Sequence, residues 1–235
     1  MRESVTRLLK PGTCGRWIAT GFYHHPIGFF AALYRSLIAT KKMTGSFFPV
    51  RVRIGVGQIL RISMGSKSQV TLIGNLLVNS WGGSNFPSSI SCSSEANLMI
   101  QGDFEIGPNV NIEIAQGAQL TLGGRKHSSG SGITCNSRIM VEKSLTIGND
   151  TIIAWDVYIS DSNWHDISGM TRCAPVSIGD HVWISHGVSV LKGAVIPAGC
   201  IVGAKSLVTS MFDTEKTLLA GVPAKVVRNE VEWSR

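Results

Sequence analysis

Aliphatic residues recur every six positions near the C-terminal end of the chain. The series is Ile178, Ile184, Val190, Ile196, Val202 and Val208. A period of six fits neither a helix, which repeats at about 3.6 residues, nor a plain strand, which repeats at about two. It is the period of a triangular solenoid, in which each side takes six residues and turns one of them inward. The pattern therefore predicts an all-β repeat fold with a core of stacked aliphatic side chains.

Small or β-branched residues form a second series, four positions after the aliphatic anchors. Its members are Val182, Val188, Ala194, Cys200 and Ser206. The position directly after each anchor holds Gly179, Ser185, Leu191, Pro197 and Gly203. Turn-forming residues are common at that position, so we expect each coil to turn its corner there.

The same frame continues upstream and is broken twice. Ile147, Ile153 and Ile159 belong to it, Val141 and Cys135 extend it backwards, and a further block holds Ile100, Ile106, Ile112 and Ala118. The interruptions are residues 124–132 (GRKHSSGSG) and residues 161–175. An amphipathic antiparallel sheet is the alternative, but alternation by two does not place turn residues in register every six positions. A solenoid also needs caps, and both chain ends are candidates.

Length and composition predict the domain organisation. The chain has 235 residues, 43% of them hydrophobic and 7% aromatic, which predicts one main domain with an appendage. We divide it into a basic N-terminal segment (1–67), a solenoid (68–212) with the loop 161–175, and a C-terminal cap (213–235). The five cysteines are odd in number and show no metal-like spacing. They are expected to be reduced thiols in a cytoplasmic protein.

Positive charge is concentrated in the N-terminal segment. Residues 1–67 hold eleven Lys and Arg against Glu3, a net +10, whereas the whole chain is +7 and the remainder therefore −3. Residues 17–39 are apolar and aromatic but are broken by Pro26 and Arg35, which makes a poor membrane span. Two hypotheses follow: a helix that caps the first coil, or peripheral contact of residues 1–42 with the inner face of the cell membrane. No nucleic-acid-binding motif is present.

The second interruption contains the candidate chemistry. Residues 159–167 read ISDSNWHDI, so His165 stands in a polar loop between Asp161 and Asp166. A lone histidine is more often structural than catalytic. This one interrupts a regular ladder at a cost in stacking, and the flanking carboxylates could orient the imidazole or raise its basicity.

At this point the chain resembles a known family. Residues 178–208, followed by AGVPAK at 220–225, look like the C-terminal signature of hexapeptide-repeat O-acetyltransferases, which include galactoside and maltose acetyltransferases. Residues 155–165 resemble most the branch that acetylates capsule, exopolysaccharide and O-antigen sugars, although Asn163 stands where that branch commonly has Asp. The resemblance covers about residues 68–228. It implies a left-handed parallel β-helix, whereas the usual crossover rule favours the right hand.

The resemblance also implies roles for particular residues. His165 matches the catalytic histidine. Residues expected to bind the acceptor are Asn136, Asp161, Asn163 and Asp166. Residues expected to bind acetyl-CoA are Trp183, Ser185, His186, Gly203, Ala204, Thr209, Lys225 and Arg228. Family members are usually homotrimers with sites between subunits, and no metal is required.

We therefore expect an acetyl-CoA-dependent O-acetyltransferase that acts on a sugar of a bacterial surface polysaccharide or its lipid-linked precursor. N-acetylation, or a small-molecule acceptor, on the same fold is the main alternative. A zinc enzyme like the solenoid carbonic anhydrases is another, because His181 and His186 are spaced like that family's paired ligands, but no third histidine stands on the neighbouring coil. A non-catalytic scaffold is the last.

Overall fold

Parallel strands from successive turns of the chain form three sheets, one on each side of a triangular solenoid. The computed structural model describes residues 26–80, 86–126 and 130–234. The part of the basic N-terminal segment before Pro26 and the centre of the first interruption, residues 127–129, lie outside these ranges. Every strand pairing is parallel except that between the last two strands, so the predicted parallel solenoid is confirmed and the antiparallel alternative is wrong.

Sheet A is the longest of the three. In spatial order it contains β1 (Val52–Ile54), β4 (Leu76–Val78), β7 (Phe104–Ile106), β10 (Gly132–Ile133), β13 (Ile152–Ile153), β16 (Trp183–Ile184), β19 (Ile201–Val202), β21 (Leu218–Gly221) and β22 (Ala224–Arg228). Sheet B contains β2 (Leu60–Met64), β5 (Ser88–Cys92), β8 (Asn111–Ile114), β11 (Arg138–Val141), β14 (Tyr158–Ser160), β17 (Ser189–Val190) and β20 (Leu207–Val208). Sheet C contains β3 (Gln69–Leu72), β6 (Asn97–Ile100), β9 (Gln119–Leu122), β12 (Ser144–Ile147), β15 (Val176–Ile178) and β18 (Val195–Ile196).

The six-residue anchors stack on one another as predicted. On sheet C, Ile178 pairs with Ile147 and Ile196, and on sheet A, Ile184 pairs with Val202. All of these side chains are at most 1% exposed. The second series, four residues after each anchor, is buried as well. Each fully buried aliphatic side chain contributes about 1.5–3 kcal/mol, so this ladder is the core of the domain.

The upstream frame differs from the predicted one at two positions. The sheet A anchor below Ile153 is Ile133, and the sheet B anchor below Ile159 is Ile139. Cys135 is therefore not an anchor but a corner residue, and Val141 pairs with Ile114 at the end of β11. The reason is length: β11 and β12 each have four residues, so the step from Ile139 to Ile147 takes eight residues instead of six. Ala118 is buried just before β9, whose pairing runs through Leu120 and Leu122.

The corners turn later than predicted. The residue with a left-handed backbone stands three positions after the anchor, not one. In the regular part these residues are His181, Gly187, Gly193, Gly199 and Lys205, with φ between 55° and 76°. Only glycine adopts this conformation without cost, which explains three glycines in register and leaves His181 and Lys205 as exceptions.

The N-terminal end of the solenoid is covered by the single helix of the described residues, α1 (Pro26–Thr44). It packs against all three strands of the first coil. Ser36 Oγ accepts a hydrogen bond from the amide of Ile54, and Thr40 Oγ1 accepts one from the amide of Val52. The helix thus covers the first coil with its inner face and satisfies the exposed edge of β1. The boundary predicted at residue 68 lies inside this first coil.

No helix in the described ranges is long and apolar enough to cross a membrane. At the opposite end, β21 continues sheet A and β22 folds back on it in antiparallel pairing. Trp233 then packs flat on His181, with ring centroids 4.2 Å apart, and its Nε1 donates to the His181 carbonyl. The C-terminal segment therefore closes over one corner of the last coils.

The described cysteines are all free thiols. Cys92 and Cys200 are buried in the core, whereas Cys135 and Cys173 are half-buried. Burial raises the pKa of the Cys92 thiol to about 11, so it stays protonated at neutral pH and acts as a small apolar side chain.

The ladder can be tested at Ile147, whose side chain is fully buried between Leu122 and Ile178. Ile147→Ala should lower the free energy of unfolding by about 2–5 kcal/mol, because the flanking coils cannot close the cavity. Urea unfolding measures this. Ile73→Ala removes the same side chain from a position that is 59% exposed and should cost less than about 0.5 kcal/mol. Equal losses in the two variants would contradict the stacked core.

Candidate active site

The second interruption is an ordered hairpin-like loop rather than a loose excursion. Ser162 and Cys173 form an antiparallel bridge at its base. The amide of Asn163 donates to the Arg172 carbonyl at 3.0 Å, and the amide of Ala174 donates to the Asp161 carbonyl at 2.9 Å. Residues 165–170 at the tip are exposed. The loop thus holds its tip away from the solenoid on a paired base.

Asp161 fixes that base to the coil below. Its carboxylate is fully buried and accepts hydrogen bonds of 2.7 Å from the amides of Glu142, Lys143 and Ser144. All three of these hydrogen bonds are made at the corner between β11 and β12. Asp161 therefore fixes the base of the loop and does not contact His165. Its acceptor-binding role stays a prediction.

A second set of polar contacts ties the loop to Glu142. Arg172 forms an ion pair with Glu142, with 2.7 Å between Nε and Oε1, and a longer one of 3.6 Å with Asp166. Ser162 Oγ also donates to Glu142 Oε2. On the other side, Lys192 Nζ donates to the Thr171 carbonyl. These contacts restrain both strands of the loop while leaving its tip free.

His165 lies at this exposed tip. It makes no hydrogen bond or ion pair with any other residue in the part of the chain that the structure describes. Asp166 carries an 84% exposed carboxylate that faces Arg172 rather than the imidazole. Ile167 and Met170 beside it are 48% and 60% exposed. The tip therefore presents an imidazole together with uncovered apolar surface.

A second cluster of predicted residues lies where the chain turns from sheet A to sheet B, which we call the A–B corner. Asn136 has a left-handed backbone, with φ of 50°, and its Oδ1 accepts a hydrogen bond from Asn109 Nδ2 at 3.2 Å. One coil further, Trp155 stacks on His186 with 5.3 Å between ring centroids and 16° between planes. Trp155 is 47% exposed, so one face of its indole is open to a ligand.

Several residues that the family resemblance assigns to acetyl-CoA binding lie on the next coils, above the A–B corner. Together with the corner they form a ridge. Ser185 and Gly203 lie on successive coils, with the Ser185 amide donating to Val202 and the Gly203 amide to Leu219. His186 and Ala204 follow them in the chain. Ala220 lies above Gly203, and Lys225 of β22 pairs with Ala220. From β10 to β21 there are four strand spacings, which makes the ridge about 19 Å long.

Lys205 was not predicted, yet it belongs to the same ridge. Its amide donates to the His186 carbonyl at 3.0 Å, and its side chain lies over Gly187. A Cβ at Gly187 would stand 2.7 Å from Lys205 Cδ and 3.0 Å from its Nζ. Glycine at 187 thus makes room for this cation as well as allowing the left-handed turn. The signal in the sequence was the corner position three residues after an anchor, which also holds Asn136 and Asp156.

Other predicted residues lie away from the ridge. Trp183 is on the outer surface of sheet A, 40% exposed, with its ring 6.2 Å from that of Trp233. Together with Ile152 and Ser234 these two tryptophans line a cavity of about 210 Å³. Thr209 follows β20 at the far end of sheet B, and Arg228 pairs with Leu218 at the far end of β21. The structure therefore does not gather these three with His186.

The two histidines of the zinc alternative are separated. His181 stands at the turn from sheet C to sheet A, stacked on Trp233, whereas His186 stands at the A–B corner, stacked on Trp155. Among the described residues, no group of three or more His, Cys, Asp or Glu is placed to hold a metal ion.

A thiol lies within the ridge. Burial and, secondarily, the negative charge of Asp156 raise the pKa of Cys135. A thiol with a raised pKa is a weak nucleophile at neutral pH. The described part of the ridge therefore offers hydrogen-bond donors, an open indole and cations, but no activated nucleophile of its own.

Several curated proteins similar to this chain are named as O-acetyltransferases. No protein-family model matches the chain. The curated protein named "Putative lipopolysaccharide biosynthesis O-acetyl transferase WbbJ" of Escherichia coli K12 is 38% identical over 100 residues, covering 37% of this chain and 50% of that protein. The resemblance to O-acetyltransferases is confirmed.

Two further relatives agree. The polysialic acid O-acetyltransferase of Escherichia coli O1:K1 is 30% identical over 146 residues, covering 59% of this chain and 43% of the relative. The galactoside O-acetyltransferase of Escherichia coli K12 is 32% identical over 98 residues, covering 40% and 48%. The chain thus spans about half the length of the curated relatives it matches.

The anchoring role of Asp161 gives a direct test. In Asp161→Asn, an amide replaces a buried anion that accepts three backbone hydrogen bonds, which should cost about 1–3 kcal/mol and free the loop base. Limited proteolysis should then cut within residues 161–175 faster than in the unchanged protein. Ser168→Ala alters an exposed side chain in the same loop and should leave the cleavage rate unchanged. Equal protection in both variants would contradict the anchor.

Proposed function

We propose that this protein transfers an acetyl group from acetyl-CoA to a hydroxyl of a sugar in a bacterial surface polysaccharide or its lipid-linked precursor. The observation that supports this most is the anchored hairpin at residues 161–175, which breaks a regular solenoid and holds His165 at its exposed tip. The relatives named above act, by their names, on lipopolysaccharide, polysialic acid or galactosides, and this supports a saccharide acceptor.

His165 is the proposed general base. A sugar hydroxyl is a weak nucleophile at neutral pH, so an imidazole that accepts its proton during attack accelerates the reaction, typically by about 10²–10⁴-fold. Acetyl-CoA supplies a thioester carbonyl that is already activated, and no covalent enzyme intermediate is needed. The raised pKa of Cys135, the thiol within the ridge, is consistent with direct transfer.

The A–B corner is the proposed wall for the donor. Ser185, Gly203 and Ala204 bring backbone close to the surface, because their side chains are small. Lys205 and Lys225 supply positive charge at the middle and upper end of the ridge, where anionic phosphates would be stabilised. Asn136, whose amide N–H groups are not used in the contact with Asn109, is the proposed donor to the acceptor or to the developing oxyanion.

The open face of Trp155 suits a sugar ring. Stacking on His186 fixes the indole, and the carbon-bound hydrogens of a saccharide pack well on such an apolar face. Trp155 and Asn136 lie on neighbouring coils of the same corner, so both can contact one acceptor. We propose a cytoplasmic enzyme, in line with its free thiols.

A homotrimer is the proposed assembly. The loop tip exposes His165 with Ile167 and Met170, and exposed apolar side chains around a polar group are typical of a surface that meets a partner. In this arrangement His165 of one subunit faces the A–B corner of its neighbour.

Mixed oligomers test that arrangement. Chains carrying His165→Ala and chains carrying Asn136→Ala should each be inactive alone. Coexpressed, they should regain part of the turnover, because some interfaces then combine an intact His165 with an intact Asn136 from different subunits. Light scattering should give about three times the 25.3 kDa chain mass. Failure of the mixture to exceed either parent would argue against a site between subunits.

Substitution of His165 tests the base. His165→Ala should lower turnover by about 10²–10⁴-fold, with little change in binding of coenzyme A measured by calorimetry, because the ridge is untouched. Turnover is followed by release of the coenzyme A thiol with polysaccharide as acceptor. His181→Asn removes an imidazole from a different corner and should retain most activity. Near-normal turnover in His165→Ala would refute the assignment.

A further inference from the structure

The outer face of α1 is apolar although the helix already covers the core with its inner face. Ile27, Phe30, Tyr34 and Ile38 are 89%, 61%, 66% and 43% exposed. Their spacing of three and four residues places them along one side of the helix. The loop that follows adds Phe48, which is 72% exposed. A cap needs only one apolar face, so this second one indicates a further contact.

A groove runs beside this face. It lies between α1 and the first coil, has a cavity volume of about 250 Å³, and is lined largely by apolar side chains, including Tyr34, Ile38 and Ile62. Two cationic side chains lie beside the groove. Arg35 donates to the Gln58 carbonyl at 3.1 Å, and Lys42 donates to the Ile62 carbonyl, so both side chains are held in place along the groove.

The charge around the groove is of one sign. Residues 26–94 contain seven Lys and Arg and no Asp or Glu. Five of these seven side chains are exposed, namely Arg35, Lys41, Lys42, Arg61 and Lys67. Repulsion between like charges disfavours contact of this face with the same face of a second copy. It also disfavours contact with residues 1–25, since these carry four cations and one acid. The partner should therefore be both anionic and apolar.

We infer that this end of the solenoid rests on an anionic phospholipid bilayer. The aromatic and aliphatic side chains of α1 enter the boundary between headgroups and acyl chains, and the groove receives part of a lipid. Arg35, Lys41, Lys42 and Arg61 face the phosphates. An apolar helix face flanked by cations is the usual form of an interfacial helix, and basic residues near the surface strengthen binding to anionic lipid. The inference does not depend on the proposed reaction.

Flotation of the full chain with vesicles tests this contact. Binding is expected with phosphatidylglycerol in phosphatidylcholine, weakly or not at all with phosphatidylcholine alone, and should fall as salt rises. Phe30→Ser with Tyr34→Ser should reduce the partition coefficient at least tenfold. Lys41→Gln with Arg61→Gln should reduce it about 25-fold, about fivefold for each cation.

Matched controls come from elsewhere in the chain. Met211→Ser removes a side chain that is 77% exposed at the opposite end of the solenoid, and Lys143→Gln with Lys216→Gln removes two exposed cations there and in the middle. These variants should bind vesicles like the unchanged protein. All variants should keep turnover on a soluble acceptor, which separates this test from that of the reaction.

Three results would overturn the inference. The first is equal partitioning of Phe30→Ser/Tyr34→Ser and the unchanged protein. The second is binding that does not depend on anionic lipid. The third is a change in oligomeric mass in the same double variant without any vesicle binding in the unchanged protein, which would assign the face to a second copy of this chain.

Discussion

Backbone hydrogen bonds between successive coils are the constraint on which the rest of this structure depends. Each coil can pair with the coils above and below only if the chain turns at the same three places in every round. The left-handed residues three positions after the anchors provide those turns. Once they are in register, the aliphatic anchors stack without further adjustment, and the corners become straight ridges on the outside of the solenoid.

Those ridges explain where the candidate site lies. A residue on a strand points either into the core or out from a flat face, whereas corner residues of successive coils stand above one another at a fixed spacing. Asn136, Trp155, His186 and Lys205 come from four separate coils and are neighbours only for this reason. The site therefore uses the rigidity of the repeat rather than any special local fold.

The hairpin loop at residues 161–175 interrupts the regular ladder of the solenoid. Its base is held by the buried carboxylate of Asp161 and by the ion pair between Arg172 and Glu142. Without such anchors, conformational entropy would favour many loop conformations, and the tip would have no fixed position. The polar groups that the sequence places around His165 thus serve mainly to fix the loop, and the imidazole itself is left free for a partner outside its own chain segment.

Much of the fold could be predicted because the six-residue period of Ile178 to Val208 has few alternatives. The predicted six-residue frame was wrong upstream. Strands of four residues lengthen the step between anchors there, while the anchors remain aliphatic, so the sequence gives no sign of the change. The role of Asp161 could not be predicted because a loop carboxylate has the same appearance whether it faces solvent or backbone amides. Trp155 and Lys205 were missed because corner positions become neighbours only once the coil length is known.

The proposed contact of α1 with a bilayer would orient the solenoid, and the number of coils then sets the distance of the candidate site from α1. Trp155 follows β13, which lies four strand spacings along sheet A from β1, or about 19 Å. With α1 lying on a bilayer, the site stands higher than that above the headgroups, because the helix itself adds about 10 Å. Under the proposed reaction, the sugar within reach would then be one carried some way out along a glycan, not the unit joined to the lipid. Adding or deleting one whole coil would change the distance between α1 and the A–B corner by about one strand spacing.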